Sequence, residues 1–333
     1  MQISSTFDAG AIEVVRLDDP AAIRLRLRQD NAADFHQWFH FRLMGAAGTA
    51  VRMVFENAAT AAYPDGWRDY RCVASYDRQH WFRIASTHYE NGELIVEHTP
   101  ERDSVHYAYF EPYSHERHLD MIARAAMSPF ARVRRLGSTV DGRDLDLVVV
   151  GDDQTGRAPI WIIARQHPGE TMAEWFVEGL LDRLLDGADP VARTLREQAL
   201  LYIVPNMNPD GAVRGNLRTN AAGRNLNREW REPDPVASPE VFLVRAEMER
   251  TGCALFLDIH GDESLPYVFF STAEEVPGFT TDAAAAQARF VDTLLAVSPD
   301  FQTEEGYKPG RFGDELLTLA SKWVANHFGC VSL

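Results

Sequence analysis

The apolar residues of this 333-residue chain change period part-way along it, and that change limits the folds open to it. Up to about residue 120 apolar and polar residues alternate, as in Ile23-Arg24-Leu25-Arg26-Leu27-Arg28, in residues 38–43 and in residues 49–55. A period of two belongs to a strand with one buried face. Turn signals separate the runs: Gly45, Gly48, Pro64-Asp65-Gly66 and Asn91-Gly92. Asn91-Gly92 predicts a hairpin joining residues 81–84 to 93–96, because both residues tolerate positive φ. Residues 107–110 are the last strand expected in this part. Many short strands without a helix predict an all-β sandwich over residues 1–122.

Beyond that point the pattern alternates between short apolar runs and amphipathic stretches. Residues 115–126 predict a helix, and Ser128-Pro129 breaks it. Strands are expected at 144–150, 160–164, 199–204, 254–259 and 330–333, with helices at 172–185, 239–252, 282–297 and 316–327. Ser238-Pro239 reads as the cap and first residue of the helix at 239–252. Strand and helix in alternation predict an α/β domain with a parallel or mixed sheet over residues 123–333. The length itself suits two domains.

Composition removes several function classes. A net charge of −16 argues against nucleic acid as a partner, since phosphate backbones are bound by basic surface. The start, M-Q-I-S-S-T-F-D, has no basic residues followed by an apolar run, so no secretory signal is expected. No apolar stretch approaches the roughly 20 residues that cross a bilayer. Cys72, Cys253 and Cys330 are far apart and flanked by apolar residues, which predicts reduced core thiols and a cytoplasmic protein.

The chemistry gathers where strands are expected to end. A-R-Q-H-P-G-E-T-M-A-E-W, residues 164–175, reads as a strand-to-helix turn with His167 and Glu170 three apart across a Pro-Gly corner. In a turn that spacing lets an imidazole and a carboxylate converge, as two ligands of one metal ion must, although H-x-x-E also arises by chance. In Asp258-Ile259-His260-Gly261 a strand ends in a histidine. His260 can complete an open two-histidine, one-glutamate site, or it can hold its loop by hydrogen bonds alone. Asp258 is either a structural acid or an orienter of an imidazole. Between them, residues 205–211 (P-N-M-N-P-D-G) and 216–228 gather Arg218, Arg224 and Arg228 with Asn216, Asn220, Asn225 and Asn227, and Arg214 lies between the two runs. Such a loop is either solvated or a clamp for a carboxylate, which guanidinium binds in a fork.

The ordered set H-P-G-E, N-P-D-G, G-N-L-R, G-R-N-L-N-R and D-I-H-G resembles the zinc carboxypeptidases related to carboxypeptidase A. The β-rich part in front is most similar to their cytosolic branch. The resemblance implies a metallocarboxypeptidase that removes the last residue of peptides or protein tails, with glutamate trimming as one specificity. It implies one Zn2+ held by His167, Glu170 and His260. It implies that Arg218 polarises the scissile carbonyl, that Asn227 and Arg228 take the terminal carboxylate, and that residues 208–211 shape a loop. Tyr307 is a further candidate near the substrate, and Lys308, Arg311 and Lys322 are the late basic residues available to a glutamate side chain.

One element of the family pattern has no counterpart. The resemblance implies a general-base glutamate on a late strand, whereas the sequence ends at Gly329-Cys330-Val331-Ser332-Leu333. Glu304, Glu305 and Glu315 follow His260 in contexts that do not match. The expectation is a chain without its catalytic glutamate, either shortened or an inactive relative, that binds zinc and turns over poorly. Two other readings are a zinc amidohydrolase or deacylase acting on small molecules, and a non-catalytic module that binds peptide tails. The sequence is silent on oligomeric state.

Overall fold

The computed structural model describes residues 1–152, 156–308 and 310–333. The alternating runs form the short strands β1 (Gln2–Ser4), β2 (Glu13–Arg16), β3 (Ile23–Arg26), β4 (His40–Met44), β5 (Val51–Phe55), β6 (Val73–Ser75), β7 (Phe82–Arg83), β8 (Thr87–Glu90), β9 (Glu93–His98) and β10 (Ser104–Ala108). They pair as two sheets, β1-β4-β10-β6-β7 and β2-β3-β5-β9-β8. Every pairing is antiparallel apart from β3 with β5. The apolar positions of each alternation meet between the sheets: Phe41, Leu43 and Tyr107 from one, Leu25, Met53, Phe55 and Val96 from the other. Each such buried side chain contributes about 1.5–3 kcal/mol. This is the all-β N-terminal unit expected from the alternation.

The Asn91-Gly92 hairpin forms with both residues at positive φ, 52° and 85°. Its first strand is β8, with Glu90 opposite Glu93, and not residues 81–84. That segment supplies only β7, at the edge of the other sheet. β8 is an exposed edge strand of sequence Thr-His-Tyr-Glu, so no apolar alternation marks it.

The second half contains α1 (His115–Met127), β11 (Ala131–Ser138), β12 (Asp144–Val150), β13 (Ala158–Ala164), α2 (Met172–Leu184), α3 (Pro190–Gln198), β14 (Ala199–Val204), α4 (Pro209–Arg214), α5 (Pro239–Thr251), β15 (Leu255–Ile259), α6 (Thr281–Val297), α7 (Ala320–Phe328) and β16 (Val331–Ser332). The sheet order is β11-β12-β14-β13-β15-β16. The first three strands are antiparallel neighbours, and β14, β13, β15 and β16 run parallel, so the sheet is mixed. Met121 and Ala125 of α1 and Val177 and Leu181 of α2 pack on one face, against Val148, Val150 and Ile162. Val244 and Met248 of α5 and Val324 of α7 cover the other face, against Trp161, Ile163 and Phe256. The division expected between residues 122 and 123 therefore falls inside α1, a helix that shares the core of the second sheet.

Two expected elements differ in detail. Ser238 stands at the cap position of α5, but its hydroxyl accepts the Asp234 amide at 2.9 Å and meets Glu229 Oε2 at 3.1 Å, with no bond into the helix. The helix expected over 316–327 is interrupted, with a 3-10 turn over Gly313–Thr318 and extended Leu319 preceding α7. Tertiary partners take the backbone groups that a continuous helix would use. The Thr318 carbonyl accepts from Trp230 N at 3.1 Å, and the Ala320 amide donates to Asn227 Oδ1 at 2.9 Å.

All three cysteines are free and buried, as expected, and pairing of β15 with β16 brings Cys253 and Cys330 to an Sγ–Sγ distance of 3.9 Å. Among the described residues no helix is long and apolar enough to cross a membrane.

Candidate active site

β13 and β15 are parallel neighbours in register, with Ala164 opposite Ile259. The chain therefore leaves both strands at one end of the sheet, the end where open α/β folds build their sites. His260 is the next residue after β15, and His167 lies three past β13. Arg165 turns the chain between β13 and His167 with φ at 57°, a left-handed conformation uncommon for arginine. Its buried guanidinium holds the turn, donating to Pro168 O and Tyr113 O at 3.0 Å each and to Glu174 Oε2 at 2.6 Å. Local strain of about 1–3 kcal/mol is offset by these bonds.

The fixed turn places the Glu170 carboxylate between two imidazoles. Oε1 lies 2.7 Å from His167 Nδ1, and Oε2 lies 2.7 Å from His260 Nδ1. Donor atoms of the three residues all fall within 4.8 Å of one another. The outer ring nitrogens are both occupied: His167 Nε2 by Asn225 Oδ1 at 3.1 Å, His260 Nε2 by Asp258 Oδ2 at 2.9 Å. With each Nε2–H donated outward, both Nδ1 atoms turn toward the glutamate, where a bound ion would take the place of the proton shared with the carboxylate. Two imidazole nitrogens and a carboxylate oxygen at one point are a donor set that fits zinc.

The charges agree with that fit. Burial, and then the Arg218 guanidinium, push the His167 imidazole down to about 4, so it is neutral and able to ligate near pH 7. Burial also opposes charge on His260, yet Asp258 and Glu170 overcome it and raise that imidazole to about 10. For Glu170 burial again opposes ionisation, but His167 and His260 hold its carboxyl well below the usual range. The site thus favours a positive charge, proton or metal.

The arginine-rich loop divides. Arg218 reaches inward, with Nη1 3.9 Å from Glu170 Oε1. Arg228 lies close enough for Arg218 to lower its pKa, after the larger effect of burial. Arg228 donates Nη1 to Asn227 O at 2.8 Å and Nε to Glu315 Oε2 at 3.1 Å. Arg214 is instead committed to Asp141 through two bonds of 2.8 and 2.9 Å, and Arg224 is half exposed beside Glu229. Asn227 is buried, with its side-chain Oδ1 accepting from Ala320 N and its Nδ2 3.3 Å from His260 Nε2. Asn208 caps α4, accepting the Gly211 amide at 3.0 Å, which is a shaping role. Tyr307 donates to Asp262 Oδ2 at 2.6 Å, two residues past His260, and Arg311 stacks 3.8 Å above its ring.

Residues 116–332 match the family described as zinc carboxypeptidase. The chain belongs to the zinc carboxypeptidase family. Residues 3–110 match the cytosolic carboxypeptidase N-terminal domain. Among solved structures the chain is similar to a metallo-carboxypeptidase from Burkholderia cenocepacia, 53% identical with a TM-score of 0.97, covering 99% of this chain and 88% of that one. It is also similar to a metallo-carboxypeptidase from Pseudomonas aeruginosa, 45% identical with a TM-score of 0.95, covering 100% and 88%. A curated relative, an uncharacterized protein of Zymomonas mobilis, is 45% identical over 333 residues, covering 100% of this chain and 86% of its own length. Cytosolic carboxypeptidase 6 of Mus musculus is 28% identical over 295 residues, covering 80% of this chain and 54% of the mouse protein. The family implies Zn2+ as cofactor and removal of C-terminal residues from peptides as activity.

Several groups around the zinc carboxypeptidase site carry no motif. Tyr63, from the sandwich, has its phenol pushed up to about 12 by burial, with Arg218 and Glu170 among the charges acting on it. Glu263 is pushed up to about 8 by burial and by the charge of Glu170. Position beside D-I-H-G is the only signal that could have marked Glu263, and nothing local marks Tyr63.

Proposed function

We propose that His167, Glu170 and His260 hold a single zinc ion, that Arg218 polarises the scissile carbonyl, and that Arg228 with Asn227 receives the terminal carboxylate of a peptide. The observation that carries this reading is the convergence of both Nδ1 atoms on Glu170 while Asp258 and Asn225 hold the two Nε2 atoms. A zinc ion there supplies Lewis acidity to water and to the carbonyl. The chain's own residues do the rest. Arg218 offers fixed positive charge beside Glu170, where negative charge develops on the carbonyl oxygen. Arg228 already takes a carboxylate, that of Glu315, and a peptide terminus would displace that exposed side chain. The Pseudomonas relative was solved in complex with (2-guanidinoethylmercapto)succinic acid, and a dicarboxylic acid bound by a relative supports a carboxylate-binding site.

Among the described residues none of Glu304, Glu305 and Glu315 takes the place of the base. The first two are exposed and tied by their amides to Gln302, and the third pairs with Arg228. The reading is a site that binds zinc and a peptide terminus. For side-chain preference we propose glutamate, supported by Arg311 stacked on Tyr307, which bonds Asp262 two residues past His260; Lys308 is exposed and Lys322 is a buried residue of α7. Protein tails are the proposed substrates and the cytoplasm the proposed location, in keeping with relatives named cytosolic carboxypeptidases.

The test is zinc stoichiometry by elemental analysis, followed by binding and cleavage of N-acylated peptides ending in Glu or Leu. One zinc per chain and preference for the Glu peptide are expected. No zinc after reconstitution would overturn the metal reading, and equal use of the two peptides would overturn the glutamate preference.

A further inference from the structure

The sandwich turn of residues 28–32 meets the loop that carries Arg218, and Asp30 is its centre. Asp30 is only 5% exposed. Its Oδ1 accepts the Leu217 amide at 2.6 Å, and its Oδ2 accepts the Arg218 amide at 2.8 Å, the Thr219 amide at 2.9 Å and the Thr219 hydroxyl at 3.0 Å. Three consecutive amides on one carboxylate make an anion nest, here with the anion from one domain and the amides from the other. A carboxylate buried this far is costly unless fully hydrogen-bonded, and this one is.

The surrounding contacts fit turn to loop. Arg28 Nη2 donates to the carbonyls of Arg214 and Gly215. Asn31 accepts from Asn216 Nδ2 at 2.6 Å and donates to Ala221 O at 2.7 Å. Gly223 has φ at +76°, and a Cβ there would lie 2.6 Å from Ala32 O. The side chain of Arg218 is framed from the same domain, with its guanidinium 5.3 Å from the Tyr63 ring centre and 5.9 Å from that of Phe35. A loop rich in Asn, Arg and Gly has little apolar surface of its own to hold it, so its order has to come from such contacts.

We propose that Asp30 is a positioning residue for Arg218: the sandwich turn fixes the 216–223 loop so that the guanidinium meets the peptide carbonyl at the metal centre, and the site is incomplete without it. This rests on the role given to Arg218 above. The β-sandwich then has a defined part in the reaction, although none of its side chains need touch the reacting atoms.

The test uses the zinc-loaded full chain and compares Asp30→Asn, Asn31→Ala, Arg218→Ala and the double variant Asp30→Asn/Arg218→Ala. Hydrogen exchange at residues 217–219 should quicken about tenfold or more in Asp30→Asn, with zinc content unchanged. The kcat for an N-acylated dipeptide should fall about 10- to 100-fold with KM nearly unchanged. Asn31→Ala, which removes two loop bonds but leaves the three amides on Asp30, should quicken exchange at 217–219 and lower kcat by much less than Asp30→Asn does. In the Arg218→Ala background, Asp30→Asn should lower kcat no further. Should Asp30→Asn fail to fold, Thr219→Val, which removes only the hydroxyl bond, should still quicken exchange at 217–219. Unchanged exchange there, an equal loss from Asn31→Ala, or a full additional loss in the double variant would each overturn the proposal. If Arg218→Ala alone leaves kcat unchanged, the role of Arg218 fails, and the exchange data separately decide whether Asp30 holds the loop.

Discussion

Asp258 Oδ2 lies 2.9 Å from His260 Nε2, and the same oxygen accepts Gln166 Nε2 at 2.7 Å. Gln166 is itself held by Trp230 Nε1, which donates to its Oε1 at 2.8 Å. A buried chain of three side chains thus sets the angle of one imidazole. Removing such an outer partner typically weakens metal binding about 10- to 100-fold. Asp258→Ala should therefore raise the zinc dissociation constant by that factor in a competitive chelator titration. An unchanged constant would place His260 outside the coordination sphere.

His167→Ala and Glu170→Gln should each reduce zinc from near one per chain to below about a tenth, because a three-ligand open site cannot spare a ligand. Elemental analysis after dialysis reads this directly. Full zinc in both variants would remove the proposed triad.

Arg228→Ala should abolish preference for a peptide acid over its C-terminal amide. A hydrogen bond to a charged group contributes about 1.5–3 kcal/mol, which corresponds to roughly 10- to 150-fold in the ratio of the two dissociation constants. Glu315→Gln should act the other way, strengthening acid binding by about fivefold at most, since an exposed ion pair is worth about 0–1 kcal/mol. Calorimetric titration of both variants with the acid and the amide checks the pair of signs.

His118 of α1 shares Glu174 with Arg165, its Nδ1 2.6 Å from Glu174 Oε1 and its Nε2 3.4 Å from Asp146 Oδ2. Burial disfavours its charge, but bonds to Asp146 and Glu174 prevail and raise it to about 9. A histidine whose folded pKa is raised adds stability that is fully present below its unfolded value of about 6.5 and is lost as pH rises through the folded value. Stability should therefore decline between about pH 6.5 and 9, by up to about 3 kcal/mol. His118→Asn should be less stable at pH 6 and lack that part of the decline in urea unfolding. An identical slope in the variant would show that the histidine does not hold its proton.

Gly66, in the sandwich, lies against the segment that follows His260, where an added Cβ would sit 2.2 Å from Glu263 O. Backbone cannot yield as a flexible side chain can, so Gly66→Ala should cost about 1–3 kcal/mol. Thermal unfolding measures this. A parent-like midpoint would mean that the two domains part easily at this contact.

Much of the fold was legible because periodicity reports which faces are buried. The bounds of β12 and β14 could be read directly from the alternation and apolar end of D-L-D-L-V-V-V and from the uninterrupted apolar run A-L-L-Y-I-V. β8 was not legible, because an edge strand buries almost nothing and leaves no pattern. The helix at 316–327 looked continuous because its side chains are helix formers, whereas Trp230 and Asn227 claim its backbone from far away in the sequence. Within the candidate site, H-P-G-E and D-I-H-G stood out as polar groups at the ends of apolar runs. Asp30 did not, since an aspartate in a turn is unremarkable until its partners are known.

The sequence by itself determined most of the buried strands, where the polar residues interrupt them, and which side chains could ligate a metal. These are local matters, set by alternation, by turn residues and by the chemistry of each side chain. Only the tertiary structure decided that β15 lies beside β13, which brings His260 to Glu170 across 90 residues. It also decided that Asp258 and Asn225 fix the two imidazoles, that Arg218 turns inward while Arg214 pairs with Asp141, and that Asp30 of the sandwich holds the loop between them. Strand order and side-chain partnership depend on long-range burial and on satisfying every buried polar group at once, and no window of sequence contains that information.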